Sequence, residues 1–282
     1  MYNLYDINTV KSILSKNGFS FSKALGQNFI IDPDVCPKMA QAAVPSSDYG
    51  VLEVGPGIGV LTAELCRAAK RVVAVELDDR LLPILDDTLC DFDNVKVVHG
   101  DVMKIDLKKL IDDEFKDMKV VICANLPYYI TSPVIMKLLE DNLPVESIVV
   151  MVQLEAADRL CAEVGTRESG AVTVAVNFFA EAEKLFFVPK TSFLPAPKVD
   201  SEVMRLTLRD TPYADVDQAK FFNMVKTAFT KRRKTIMNSL CFGDVTKESL
   251  GSALDKVSIS RTARVEELTM PQLIGIFREL YE

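Results

Sequence analysis

Short apolar runs alternate with helical patterns along the first half of the chain. Each run is rich in Val and Ile and is bounded by polar residues or glycine, which is typical of a buried strand. We predict strands over residues 51–54, 72–76, 95–98, 120–124 and 147–152. Helical spacing lies between them, for example over 60–69 and 79–89, so the pattern predicts βα units and a mainly parallel sheet.

The pattern changes twice in the second half. Residues 183–188 and 202–208 alternate polar and apolar positions, which predicts an antiparallel pair joined by an extended, ordered connection rich in proline. After Arg209 only helical patterns remain, over residues 221–240, 247–254 and 270–280. We therefore predict an α/β fold with a mixed seven-stranded sheet over residues 1–209. A small all-helical domain, residues 210–282, should follow from the segment Asp210-Thr211-Pro212.

Composition narrows the class of protein. A chain of 282 residues with 49% apolar and 26% charged residues is typical of a globular protein with one large and one smaller domain. No apolar run is long enough to span a bilayer, and the first residues lack the basic-then-apolar pattern of a signal peptide. Six scattered cysteines and a single histidine argue against a metal site or a disulfide framework. We expect a cytoplasmic protein that does not bind a membrane.

The net charge of −7 argues against a nucleic-acid partner, but the charge is unevenly distributed. From residue 203 to the end there are 13 Lys and Arg against 10 Asp and Glu, a net charge of +3. The remainder therefore carries −10. A locally basic tail leaves RNA as a candidate partner.

A glycine-rich segment, Glu53-Val54-Gly55-Pro56-Gly57-Ile58-Gly59, follows the first strand and opens a helix. Glycines let the backbone turn sharply and approach a ligand closely. The third glycine comes one residue too early for the dehydrogenase fingerprint G-x-G-x-x-G, and the pattern is typical of methyltransferases that use S-adenosylmethionine (AdoMet). We expect Gly55 and Gly57 to bind AdoMet and Glu53 to hold the loop in shape.

Two carboxylates end the next two strands. Glu76 lies 21 residues after Gly55, where its oxygens can accept hydrogen bonds from both ribose hydroxyls of AdoMet. Asp101 ends the third strand, and its side chain suits the adenine amino group. Leu77 and Val102, which follow these carboxylates, complete this part of the predicted cofactor site.

The motif Asn125-Leu126-Pro127-Tyr128 follows the strand at 120–124. Pro127 lacks an N–H and holds the preceding residues extended, so the Asn125 amide oxygen and the Leu126 carbonyl can both accept hydrogen bonds. Two acceptors could bind the hydrogens of an exocyclic amino group and expose its lone pair for methyl transfer. Tyr128 and Phe193 are candidates to stack on a base that has left its helix. A plain strand-ending turn, with Tyr128 as a core residue, is the alternative.

Taken together, these motifs resemble the ribosomal RNA small-subunit adenine N6,N6-dimethyltransferase family (KsgA/RsmA). The resemblance covers residues 21–208 and continues more weakly through the tail. It rests on the glycine-rich segment, the Asn125-Leu126-Pro127-Tyr128 motif, Leu25-Gly26-Gln27-Asn28-Phe29-Ile30, and the segment from Phe193 through Pro195 and Pro197-Lys198-Val199-Asp200-Ser201.

The resemblance implies a Rossmann-like AdoMet methyltransferase fold in which Asn28 and Ile30 close over the cofactor as an N-terminal lid. Gly55, Glu76, Asp101 and Asn125 would contact AdoMet or line its pocket. Family members transfer two methyl groups to each of two adjacent adenosines near the 3′ end of small-subunit ribosomal RNA (rRNA).

Basic residues in the helical tail form a candidate RNA surface. Lys226 precedes the run Lys231-Arg232-Arg233-Lys234, which interrupts an apolar stripe of helical spacing. Core-facing arginines are costly unless they are paired, so we expect a helix break that turns the run toward RNA phosphates. A solvated basic face is the alternative. Lys23 and Lys198 flank the proposed active site, and residues 163–170 read as a mobile polar loop.

Two other functions fit the same motifs. One is a large-subunit rRNA dimethyltransferase of the antibiotic-resistance type, but Leu126 before the proline and the acidic total favour the small subunit. The other is a non-catalytic assembly or transcription factor, although intact Glu76, Asp101 and Asn125 argue against lost catalysis. We expect a monomer whose partner is small-subunit rRNA within an assembly intermediate.

Overall fold

The computed structural model describes residues 2–22, 26–209, 213 and 215–282. Two sheets and a set of helices are present. The strands are β1 (Phe29–Ile30), β2 (Gly50–Val54), β3 (Arg71–Glu76), β4 (Val95–His99), β5 (Val120–Asn125), β6 (Ser147–Gln153), β7 (Ala180–Val188), β8 (Phe193–Leu194) and β9 (Ser201–Leu208). The α-helices are α1 (Ile7–Lys16), α2 (Val35–Ala43), α3 (Val60–Ala68), α4 (Leu82–Thr88), α5 (Leu107–Glu114), α6 (Thr131–Glu140), α7 (Leu154–Leu160), α8 (Ala171–Phe179), α9 (Gln218–Thr230), α10 (Ile236–Ser239), α11 (Lys247–Lys256) and α12 (Met270–Tyr281).

The large sheet has seven strands in the order β4-β3-β2-β5-β6-β9-β7. The first five pair in parallel, and β9 joins β6 antiparallel, so the predicted mixed seven-stranded sheet is confirmed. The central strands β2, β5 and β6 are buried almost end to end. Such near-continuous burial is expected where helices cover both faces of a sheet.

The strand order reverses at β2. This strand pairs with β3 on one side and β5 on the other, and the carboxyl ends of all three lie at the same edge of the sheet. In open α/β sheets the crevice at such a reversal is where ligands bind. The glycine-rich segment, Glu76 and the Asn125-Leu126-Pro127-Tyr128 motif all lie at the ends of these three strands.

A second, two-stranded sheet is not predicted by the sequence. β1 pairs antiparallel with β8, with Phe29 opposite Leu194 and Ile30 opposite Phe193. This pairing ties the N-terminal lid motif to the proline-rich connection 189–200. Strands of two residues carry no hydrophobic period, so no sequence pattern could reveal them.

The chain divides into two compact units. We call them the sheet unit, residues 1–157 and 183–208, and the helical unit, residues 158–182 and 209–282. This division differs from the boundary expected between residues 209 and 210. Residues 158–182 join the helical unit because Phe178 and Phe179 of α8 pack on Phe221 and Phe222 of α9, with ring centroids 5.2 to 5.7 Å apart. The expected boundary segment 210–212 lies outside the described residues.

The sheet unit offers a direct test of its packing. A side chain at Gly50, the first residue of β2, would overlap the buried ring of Phe115. We expect Gly50→Ala to lower the free energy of unfolding by about 1–3 kcal/mol, because the ring must shift within a close-packed core. Urea unfolding followed by circular dichroism measures the change. In the double variant with Phe115→Leu the two losses should be less than additive, and full additivity would contradict the proposed overlap.

Candidate active site

The glycine-rich segment forms one wall of a cleft at the carboxyl edge of the large sheet. It leaves β2 and enters α3, and Gly55 and Gly57 have positive φ angles of 72° and 61°. A Cβ at Gly55 would point into open space within the cleft, whereas one at Gly57 would press against the ring of Phe29. The loop therefore leaves room for a ligand at Gly55. The cleft has a volume of about 1070 Å³ with its open mouth included, large enough for a nucleotide-sized molecule.

Glu76 presents a carboxylate at the end of β3 within this cleft. It is only 6% exposed, and both of its oxygens accept hydrogen bonds from the backbone. The Asp78 N–H donates to Oε1 at 2.8 Å and the Gly57 N–H donates to Oε2 at 3.3 Å. Burial raises the pKa of this carboxyl, and the two N–H donors oppose that rise. Its orientation is fixed before any ligand arrives.

Glu53, the first residue of the glycine-rich segment, is 1% exposed. Its Oε2 has no hydrogen-bond partner, and burial raises its pKa to about 8, with the neighbouring charge of Glu76 adding to the rise. A carboxyl with this pKa is largely protonated at neutral pH. Glu53 therefore reaches the cleft wall as a neutral group, and a second negative charge close to that of Glu76 is avoided.

The Asn125-Leu126-Pro127-Tyr128 motif forms the opposite wall. Asn125 is the last residue of β5, and the Leu126 N–H donates to the Met151 carbonyl of β6 at 3.2 Å. The Pro127 carbonyl accepts from the Ile130 N–H at 3.1 Å, which closes the turn. This turn holds the Asn125 side chain at the cleft in a half-buried position.

Tyr128 connects this motif to the segment that ends at Ser201. The Tyr128 and Ser201 hydroxyls lie 2.7 Å apart, and Ser201 is fully buried at the start of β9. Burial raises the pKa of Tyr128. Tyr128 also lines the cleft, so a half-buried, hydrogen-bonded tyrosine forms part of its wall.

The structure brings nearly all of the predicted catalytic and cofactor-binding residues together. All five predicted catalytic residues line the cleft, as do all predicted cofactor-binding residues except Asp101. The Asp101 carboxylate is engaged within its own turn, where Oδ1 accepts from the Met103 N–H at 2.9 Å. Its neighbours Gly100 and Val102 line the cleft instead.

Phe193, one of the two predicted stacking residues, is mostly buried. It is 3% exposed because β8 pairs with β1, which places the ring in the core of the sheet unit with one side toward the cleft. Tyr129 is the aromatic ring that is exposed at the mouth, at 54%. Its ring lies against Gly26, and sequence reasoning gave it no role.

Gln27, which also lines the cleft, is a further residue that sequence reasoning missed. Its amide donates to Asp78 Oδ2 at 2.7 Å, across 51 positions of the chain. The sequence assigns Asp79 and Arg80 to a helix start, and a short 3₁₀ helix does begin there. Gln27 and Asp78 are far apart in the chain, so no local sequence pattern could have revealed their hydrogen bond.

The basic run belongs to the helical unit. α9 ends at Thr230 and α10 begins at Ile236, so the expected helix break is present. Lys231, Arg233 and Lys234 are exposed, whereas Arg232 is half-buried. Its guanidinium donates to the Arg167 carbonyl and lies 3.9 Å from Glu266.

Two other features of the helical unit differ from expectation: its net charge and the conformation of residues 163–170. The unit contains 14 Lys and Arg and 14 Asp and Glu, so the basic character is confined to the run at 231–234. The expected mobile loop at 163–170 is closed by the buried Ser169 hydroxyl, which accepts from the Gly165 and Thr166 N–H groups. Lys198 is exposed in the sheet unit, and Lys23 lies outside the described residues.

Comparison with known proteins identifies the family. The family model described as ribosomal RNA adenine dimethylase matches residues 18–282. The chain belongs to the ribosomal RNA adenine dimethylase family. Within it, the chain is 48% identical to the ribosomal RNA small subunit methyltransferase A of Geobacillus thermodenitrificans (strain NG80-2), over 96% of this chain and 94% of the relative. It is 47% identical to the protein of the same name from Bacillus licheniformis, over 96% and 95%.

Solved structures agree with this family assignment. A dimethyladenosine transferase from Plasmodium falciparum has a TM-score of 0.71 at 24% identity, covering 89% of this chain and 97% of that one, which shows the shared fold. The 23S rRNA methyltransferase ErmE has a TM-score of 0.63 at 29% identity, covering 90% and 100%. None of the described helices is both long and apolar enough to cross a membrane. The described residues contain no cluster of three or more side chains suited to hold a metal ion.

The buried Glu53 carboxyl predicts a pH dependence of stability. The native carboxyl keeps its proton up to about pH 8, whereas the unfolded one loses it near pH 4.5. The native state therefore binds more protons in this window, and the free energy of unfolding falls as pH rises, by up to about 1.4 kcal/mol per pH unit. Glu53→Gln should remove this part of the slope in urea unfolding between about pH 5 and pH 8. The exposed control Glu168→Gln should keep it, and parallel slopes for wild type and Glu53→Gln would contradict the burial argument.

Proposed function

We propose that this chain uses AdoMet to dimethylate the N6 amino groups of two adjacent adenosines in the 3′-terminal hairpin of small-subunit (16S) rRNA. The observation that carries the proposal is the pairing of two walls in one cleft. Glu76 and the glycine-rich segment, which we assign to the nucleoside part of the cofactor, line the same cleft as the Asn125-Leu126-Pro127-Tyr128 motif, which we assign to the target amino group.

The residues of the cleft fit AdoMet. The buried Glu76 carboxylate is oriented to accept hydrogen bonds from ribose hydroxyls, and the open space at Gly55 leaves room for the ligand. Asn28 and Ile30 would cover the ligand from the lid side, with Leu77 and Val102 beside the adenine ring. When bound, AdoMet supplies an electrophilic methyl group on a sulfonium centre. Asp101 would have to turn from its own loop to reach the adenine amino group.

The amino group of the target adenine is a weak nucleophile because its lone pair is delocalised into the ring. The Asn125 amide oxygen and the Leu126 carbonyl would accept its two hydrogens and localise the lone pair on nitrogen. Pro127 contributes no N–H that could compete for these acceptors. Positioning and fixed dipoles then supply the rate without a strong general base. A hydrogen remains on nitrogen after the first transfer, so a second methylation at the same atom is chemically open.

Stacking would hold the flipped adenine between the two walls. Tyr128 is held by its hydrogen bond to Ser201, and Phe193 is held by the β1–β8 pair, so both rings are fixed in place. Fixed rings lose little conformational entropy when a base stacks on them. Each stack contributes on the order of 1–3 kcal/mol to binding of single-stranded nucleic acid.

The choice of the small subunit rests on the comparisons and on Leu126. Relatives at 44–48% identity are named ribosomal RNA small subunit methyltransferase A, whereas the 23S rRNA methyltransferase ErmE is 29% identical. Both cleft walls carry residues predicted for cofactor binding and catalysis, which favours an enzyme over a non-catalytic assembly factor on the same scaffold. We further propose a cytoplasmic monomer that acts on an assembly intermediate of the small subunit.

Contact with rRNA phosphates is assigned to exposed basic residues of both units. In the helical unit these are Lys226, Lys231, Arg233 and Lys234, and in the sheet unit Lys198, with Lys23 proposed from sequence alone. Arg232 contributes less directly, because its contacts to Arg167 and Glu266 stabilise the turn that carries the run.

The acceptor role of Asn125 predicts a specific kinetic defect. We expect Asn125→Ala to lower kcat by about 10² to 10³, since one preorganised acceptor is lost. The dissociation constant of AdoMet, measured by calorimetry, should change by less than about threefold, because a single peripheral contact to the cofactor is removed. The exposed control Asn8→Ala should leave both values unchanged. Normal transfer by Asn125→Ala would remove this residue from the mechanism.

The substrate itself is tested with methyl-labelled AdoMet and small subunits from cells that lack this modification. Nuclease digestion and mass spectrometry should find the label in two adjacent N6,N6-dimethyladenosines of the small-subunit rRNA. Label in large-subunit rRNA would favour the antibiotic-resistance type of enzyme. Label in neither RNA would overturn the proposal.

The basic run predicts a salt-dependent contribution to RNA affinity. Replacing Lys231, Arg233 and Lys234 by Gln should reduce the slope of log K against log salt by about 2 to 3, since each phosphate contact contributes about 0.7 to 0.9. Filter binding between about 50 and 300 mM salt measures the slope for the wild type and for each variant.

The matched control for the basic run replaces Lys220, Lys247 and Lys256 by Gln. These are three exposed lysines of the same unit, and their replacement should change the slope little. Equal slopes for the two triple variants would indicate that the run is merely solvated.

A further inference from the structure

Asp78 is a buried charge with an unusual number of partners. Its side chain is 4% exposed and lies two residues after Glu76. Arg80 holds it with two side-chain bonds, from Nε to Oδ1 at 2.8 Å and from a terminal nitrogen to Oδ2 at 2.6 Å. Gln27 donates to the same Oδ2 at 2.7 Å. A buried carboxylate with this set of donors is held rigidly, because breaking any bond leaves a charge without compensation.

Asp78 also helps to orient Glu76 through its backbone. The backbone N–H of Asp78 donates to Glu76 Oε1 at 2.8 Å, the shorter of the two bonds that orient the carboxylate. The position of that N–H depends on where the Asp78 side chain is anchored. The orientation of Glu76 therefore depends on Gln27 and Arg80, although neither of them touches it.

Gln27 and Arg80 also hold a segment that precedes the cleft, the N-terminal arm, residues 19–22 and 26–30. The Gln27 amide oxygen accepts from the Ser22 N–H at 2.9 Å. The Arg80 guanidinium donates to the Ser20 carbonyl at 3.4 Å and lies 5.0 Å from the ring centroid of Phe19. In the same arm, Asn28 and Ile30 line the cleft. One buried carboxylate thus anchors both the arm and the loop after β3.

We propose that Gln27 and Arg80, acting through Asp78, are positioning residues that lock the N-terminal arm to the Glu76 carboxylate and so preform the AdoMet site. The proposal rests on the proposed function, because it assigns the ribose of AdoMet to Glu76. It adds a second role for the lid motif: Asn28 faces the ligand, while the Gln27 amide bonds to Asp78 and fixes the wall on which the ligand lies.

The test uses Gln27→Met, which keeps the length of the side chain and removes both hydrogen bonds. We expect the dissociation constant of AdoMet to rise by about tenfold, as for the loss of a hydrogen bond to a charged group. The KM for AdoMet should rise more than kcat falls, since the reacting atoms contact other residues. Asp78→Asn should have a similar effect, and the double variant should be much less than additive, because both changes disable the same anchor.

Hydrogen exchange of the protein without AdoMet gives a readout that is independent of catalysis. The peptide that contains Ser20 to Ser22 should exchange faster in Gln27→Met than in wild type, because the Ser22 N–H loses its acceptor. The control Gln41→Met makes the same substitution at an exposed site on α2 and should match wild type in affinity and exchange.

The outcomes separate this proposal from the proposed function. Unchanged AdoMet affinity in Gln27→Met, or additive effects in the double variant, would overturn the positioning role while leaving the enzyme assignment intact. A weaker affinity accompanied by a large fall in the melting temperature would also overturn it, since that result indicates general destabilisation. Failure of the wild-type protein to bind AdoMet would instead overturn the proposed function.

Discussion

The backbone N–H groups of Gly57 and Asp78, which hold the buried Glu76 carboxylate, are the interaction on which the rest of the site depends. They follow the carboxyl ends of two adjacent parallel strands, so the sheet brings both donors to the same carboxylate. A carboxylate in a buried cleft is costly unless donors compensate it. Here the compensation is made by the fold rather than by a cation, which leaves the carboxylate free to bind hydroxyl groups of a neutral sugar.

The cost of burying a charge also explains why the Glu53 carboxyl is neutral. A second ionised carboxyl beside Glu76 would add repulsion to the cost of burial, and the raised pKa of Glu53 shows that the proton is retained instead. Its Oε2 is buried without a hydrogen-bond partner, as suits a group that is not ionised. Glu53 therefore adds no negative charge beside the Glu76 carboxyl.

Three motifs far apart in the chain meet around this cleft through pairwise contacts. Tyr128 bonds to Ser201, β1 pairs with β8, and Gln27 bonds to Asp78. Each contact includes at least one residue that lines the cleft, namely Tyr128, residues of the β1–β8 pair and Gln27. The site is therefore assembled from segments that hold each other in place, and Phe193 illustrates the result: it is 3% exposed and lines the cleft from a strand that pairs with the arm.

The sequence by itself determined the parallel sheet and the order of the cleft-forming motifs, because strand periodicity and loop chemistry are local properties. The break between α9 and α10 also followed from the local pattern, since two adjacent arginines, Arg232 and Arg233, could not continue an apolar stripe. Only the tertiary structure decided which unit contains residues 158–182, that Phe193 is buried, that Arg232 is engaged within its own unit, and that Gln27 reaches Asp78. Each of these depends on contacts between residues that are distant in the chain, and such contacts leave no periodic signal in the residues that make them.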